Sequence, residues 1–163
     1  MILCGGILLC IHWQHGRFTH RQAQNANSSG ILPVIREVLP LAESVDATSA
    51  NALASILGTD RNELGKIART SPMADHILGF SGPTDVLLVF DGEEQLIATR
   101  VISSRDTKEH VRQVVQDPNF LKSLNGRSRA ELLNLSDIDA VSGATLTSFS
   151  VLESIRLRLS KTE

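Results

Sequence analysis

At 163 residues the chain is long enough for one domain with a proper core and too short for two, so one globular unit is expected. A formal net charge of -2, with 21% charged and 42% apolar residues, leaves no basic stripe for nucleic acid or an anionic membrane, which disfavours a polyanion partner. Tyrosine is absent, Trp13 is the one tryptophan and the five phenylalanines are scattered, which argues against an aromatic base-stacking platform.

The chain opens on MILCGGILLCIHW, residues 1–13, which reads as the remnant of a membrane anchor or signal segment. The apolar run is shorter than the roughly 20 residues that span a bilayer, and Arg17 and Arg21 lie on its downstream side. Cys4 and Cys10 both fall in this stretch, so neither a disulfide framework nor a C-x-x-C metal or cluster site can be assembled. Any redox chemistry must come from a bound cofactor. Residues 14–30, polar and rich in small side chains, read as a linker, and the folded domain is expected over residues 31–163.

ILPVIREVLP suits a short helix with Pro33 in its first turn and Pro40 as its stop. NALASILG reads as a second helix ended by Gly58. From Arg61 the pattern turns to strands, in NELGKIARTS, HILGFSG and TDVLLVFDGEEQLIATRVISS. Asp91-Gly92 between two aliphatic runs predicts a hairpin and an antiparallel sheet. DTKEHVRQVVQ then places Val111, Val114 and Val115 at helical spacing, stopped by Asp117-Pro118, with His110 as an exposed first-turn residue and Asp106 as a possible N-cap. NFLKSLNG looks like one more short helix closed by Asn125-Gly126. Helices, then strands, then helices give an α+β fold, an antiparallel sheet with flanking helices.

The last segment is DAVSGATLTS, residues 139–148, running into FSVLESIRLRL. Leu152, Ile155 and Leu159 share one helical face, with Phe149 close to it. Ser150 and Glu153 have capping-box spacing, and Thr147 and Ser148 are alternative N-caps, so the helix is expected to begin near Thr147. Ser142 to Thr145 then lie just outside a helix N-terminus, where free N–H groups and the dipole favour a phosphate. Gly143 suits a positive φ or a close backbone approach. On local physics alone Ser142, Thr145, Thr147 and Ser148 read as turn and cap residues, as most such clusters are. Rossmann, P-loop, nucleophile-elbow and zinc-helix motifs are all missing from the sequence.

Asp139-x-x-Ser142-Gly143-Ala144-Thr145 resembles the flavinylation motif of the FMN-binding domain family, found in subunits of sodium-translocating quinone reductases, Rnf-type complexes and NosR-type membrane proteins. The resemblance extends from about Leu64 to Leu159. TSPMADHILGFSGPTDVLLVFD is similar to the family's G-[YF]-x-G-P segment, and VISSRDTKEHV to its E-T-P-G-type turn. Here Asp106 stands for the usual glutamate, and Lys108-Glu109 replace Pro-Gly.

The resemblance implies FMN joined through its phosphate to the hydroxyl of Thr145, placed there from FAD by a flavin transferase. Gly143 and Ala144 would keep the approach open, and Ser142, Thr147 and Ser148 would hydrogen-bond phosphate oxygens. Asp139 would serve recognition or metal binding during transfer. Asp106 and Thr107 would reach the polar edge of the ring, with Ser81 and Gly82 as further contacts. A tethered flavin needs no large pocket, and with few aromatic residues it would rest on aliphatic and backbone surface, partly exposed.

The function implied is an extracytoplasmic, membrane-anchored electron-transfer domain, passing electrons between redox partner proteins with no catalytic acid or base and no resident metal. Two alternatives stand beside it: a small flavin-dependent reductase acting on its own substrate, and a non-redox regulatory or interaction module of a membrane complex.

Overall fold

The structure is a computed structural model and describes residues 30–47 and 52–161. The expected anchor over residues 1–13 and nearly all of the expected linker lie outside the described residues. Residue 30, placed with the linker on sequence, is already helical. Among the described residues no helix is long and apolar enough to cross a membrane.

Helix α1 covers residues 30–36. Five strands follow: β1 (Ser44–Asp46), β2 (Ala54–Leu57), β3 (Glu63–Arg69), β4 (Thr84–Phe90) and β5 (Leu96–Ser104). They form one antiparallel sheet in the order β1-β2-β3-β4-β5, so every strand pairs with its neighbour in sequence. Helix α2 (Lys108–Gln116), two 3-10 turns at Lys122–Leu124 and Glu131–Leu133, and the long helix α3 (Thr145–Ser160) complete the chain. The α+β class and the antiparallel sheet agree with the sequence.

Strand β4 explains the layering. All seven of its residues are buried, because the sheet is covered on both faces there. Val86, Leu88 and Phe90 point into a core built with Val114 of α2, Phe120, Leu124, Leu132 and the α3 residues Val151, Leu152, Ile155 and Leu159. Leu87 and Val89 point the opposite way, onto Ile31 and Ile35 of α1 and Ile56, Ile67 and Ala98 of the sheet. A strand buried on both sides has no reason to alternate, and TDVLLVF does not. The Asp91-Gly92 hairpin is present, with Asp91 Oδ1 accepting from the N–H groups of Glu93 and Gln95 at 2.9 Å each.

Five sequence expectations need correction. NALASILG is no helix: residues 54–57 form β2, which pairs with strands on both sides and buries Ile56 completely. A short apolar run has no period of its own, and pairing decides its state. Gly58 ends that strand at a turn, its N–H donating to the Asn62 carbonyl. HILGFSG is no strand, because the N–H groups of Phe80 and Ser81 go to the Asp106 carboxylate rather than to a ladder.

Helix α3 starts at Thr145, with Ala144 as N-cap and no side-chain cap. Glu153 pairs with Arg156 instead of reaching back to Ser150, and the reciprocal Ser–Glu bonds of a capping box occur at Ser128 and Glu131. Phe149, expected near the apolar face of α3, is 55% exposed.

Arg158 ties α3 to the sheet from within the protein. It is 5% exposed and donates to the carbonyls of Arg69 at 3.0 Å and Ala52 at 2.9 Å. Arg158→Ala removes both of these buried bonds and is expected to cost about 2–4 kcal/mol, read as a lower midpoint in thermal denaturation. Arg158→Lys recovers only part of it, since one ammonium cannot copy a guanidinium fork.

Candidate functional site

The site is organised by one carboxylate. Asp106, just after β5, is 6% exposed. Its Oδ1 accepts from Ser81 N–H at 2.6 Å, Ser81 Oγ at 3.2 Å and Thr107 N–H at 2.7 Å. Its Oδ2 accepts from Phe80 N–H at 3.1 Å and from Thr147 Oγ1 at 2.6 Å. Burial pushes this carboxyl up. The bonds from Thr147 and from the Ser81, Thr107 and Phe80 N–H groups outweigh it and bring the pKa from 3.8 down to about 2.

One side chain therefore joins the loop before β4, the entry to α2 and the first turn of α3. The loop must come very close: a Cβ on Gly79 would lie 2.0 Å from Asp106 Oδ2 and 3.1 Å from Ser150 Oγ. Ser81 Oγ and Thr107 Oγ1 meet at 3.0 Å, which closes the ring of bonds.

The structure thus brings Ser81, Gly82, Asp106, Thr107 and Thr147 together, and it gives most of them structural work. Asp106 is saturated by protein donors and is not the N-cap of α2, a place taken by Thr107. Thr147 and Ser148, expected as phosphate ligands, are completely buried. The Thr147 hydroxyl is spent on Asp106. That of Ser148 donates to the Ala144 carbonyl at 2.9 Å and accepts from Val141 N–H at 3.0 Å. His110 is half-buried rather than exposed, its ring edge-on to Phe80 with centroids 4.8 Å apart.

The SGAT turn lies where these contacts end. Ser142, Gly143 and Thr145 are exposed, and Ala144 is 2% exposed. Gly143 has φ +80°, the left-handed region that favours glycine. Thr145 is the first residue of a sixteen-residue helix with no side-chain cap, so N–H groups of the first turn are left for an outside acceptor, at the positive end of the dipole. Asp139 is exposed upstream of the turn, and none of the hydrogen bonds that tie the other residues together involves it.

Two residues that sequence reasoning missed complete the site. Exposed Phe80 marks its outer edge. Gln113 of α2 faces the turn: a Cβ on Gly143 would lie 3.0 Å from Gln113 Oε1, an atom that is buried and has no hydrogen-bond partner. Gln113 and Gly143 are thirty positions apart, and no local pattern links them. Gly143→Val combines a β-branched side chain at positive φ with this close contact. It is expected to destabilise the fold by about 1–3 kcal/mol in chemical denaturation, and Gly143→Asn by less, since asparagine visits that region more readily.

An exposed threonine hydroxyl, an uncapped helix start and a glycine cradle that a Cβ would crowd fit a phosphate-bearing ligand held at this turn. No curated protein matches the sequence. The sequence model of the FMN-binding domain matches residues 79–160, a span that takes in the Asp106 ring, α2, the SGAT turn and α3. Because that match covers half of the chain and includes each element of the site, this protein belongs to the FMN-binding domain family.

Proposed function

We propose that the protein carries FMN covalently, as a phosphoester on Thr145, and relays electrons between protein partners on the extracytoplasmic side of a membrane. The observation that carries the reading is the exposure of Thr145 at the first position of the uncapped α3, directly after the positive-φ turn at Gly143. FMN, when bound, supplies reversible one- and two-electron transfer. Everything else falls to the chain. Thr145 provides the ester oxygen, and the first-turn N–H groups and the Ser142 hydroxyl face the phosphate. The Asp106 ring fixes the height of the Phe80 loop against α3.

The surroundings of Thr145 suit transfer between proteins better than enclosed substrate chemistry. Leu146 and Phe149 on α3 and Leu78 and Phe80 on the neighbouring loop are all exposed large apolar residues. Exposed apolar side chains on the two elements that Asp106 joins offer the flavin ring a surface to lie on and a partner protein a surface to meet. Thr145 needs a flavin transferase for maturation, with FAD as donor.

The test is to reduce the flavin-loaded protein chemically and mix it with a one-electron protein acceptor such as cytochrome c. Rapid oxidation of the flavin with matching reduction of the haem is expected. Direct turnover of a soluble substrate with no protein acceptor would instead favour the self-contained reductase. For location, reporter fusions placed after Gly30 are expected to be active only outside the cytoplasm, and cytoplasmic activity alone would overturn that part.

A further inference from the structure

The Gln113 amide at the Gly143 turn is held in one orientation. Its Nε2 donates to Glu109 Oε1 at 3.3 Å, and Glu109 is itself anchored by Arg112 at 2.6 Å. Turning the amide over would set a carbonyl against that carboxylate. The carbonyl oxygen is therefore directed to the Gly143 turn, where it is buried and lacks a donor. Among the described residues only Thr99 Oγ1 shares that condition, and it sits on β5. A buried acceptor without a donor is a cost the fold does not ordinarily keep, so a donor from outside the chain is the economical explanation.

The chemistry of the ligand narrows what that donor is. A phosphate diester at neutral pH has no proton to give. The donors FMN brings are the hydroxyls of its ribityl chain and the ring N3–H. With the phosphate on Thr145, two residues from Gly143, the hydroxyls nearest the phosphate are the ones within reach.

We propose that Gln113 is a positioning residue for the flavin: its carbonyl, oriented by Glu109, accepts a hydrogen bond from a ribityl hydroxyl next to the phosphate. The turn itself covers the oxygen, so the contact requires the turn to shift on loading. A glycine at position 143 permits this. The inference rests on covalent FMN at Thr145.

The experiment compares full-length protein produced with and without a flavin transferase, as wild type and as Gln113→Leu. Thermal midpoints and visible circular dichroism of the flavin are the readouts. Without flavin, Gln113→Leu is expected to leave the midpoint unchanged or raise it, because it removes an unsatisfied acceptor. With flavin, the gain in midpoint on loading falls by about 3 °C relative to wild type, and the dichroism of the bound flavin weakens.

Equal gains and equal dichroism in the two proteins would overturn the proposal while leaving FMN on Thr145 intact. A wild type that acquires no flavin would overturn both. Should Gln113→Leu not fold, Gln113→Met, unbranched and equally lacking the acceptor, carries the same comparison.

Discussion

Replacing Asp106 by alanine is expected to lower stability by roughly 3–5 kcal/mol, equivalent to a fall of about 10 °C in the thermal midpoint. The carboxylate is buried and accepts from Phe80, Ser81, Thr107 and Thr147, and the substitution leaves their donors without an acceptor where water has little access. Bonds to a charged acceptor are each worth about 1.5–3 kcal/mol, and those lost here are shared among three chain segments. The loss also frees the Phe80 loop from the first turn of α3, so the damage reaches the surroundings of the SGAT turn as well as the core.

The same residue sets an acid limit on stability. Its folded pKa of about 2 lies below the ordinary value of 3.8. Above about pH 5 the carboxylate is ionised in both folded and unfolded states, and its full contribution is present. As the pH falls below that, the unfolded state takes up the proton first, and the contribution, about 2 kcal/mol, is lost progressively down to about pH 2. Asp106→Asn keeps the shape and abolishes this limb. Comparing midpoints of the two proteins between pH 2 and pH 5 checks it: the gap between them narrows towards low pH.

Much of this architecture is legible in the sequence where a local signal decides it. The β4–β5 hairpin follows from Asp91-Gly92, and α2 from the spacing of its valines and the Asp117-Pro118 stop. Gly143 has the positive φ its place in the turn suggested.

The failures share a cause. Ile56 is drawn into a strand by partners on both sides, and HILGFSG is drawn out of one by a carboxylate 25 residues further on. In the candidate site, hydroxyl content alone cannot separate Thr145, which faces solvent, from Thr147 and Ser148, which are buried. Which of the three is available depends on where α3 starts and on what Asp106 claims. Both are tertiary facts.

Thr145→Val is the substitution with the sharpest expected effect, an all-or-none loss of flavin with the fold retained. Valine keeps the branched shape and removes the hydroxyl. Because Thr145 is exposed and α3 has no side-chain cap, its stability cost is expected to stay within about 0.5 kcal/mol. The measurement is the intact mass of the full chain purified from cells expressing a flavin transferase, with peptide mapping of any adduct. A wild-type increment of one FMN less one water, located on Thr145 and absent from Thr145→Val, is the predicted result. A wild type of unmodified mass, from cells in which the transferase has modified another substrate, would contradict the account.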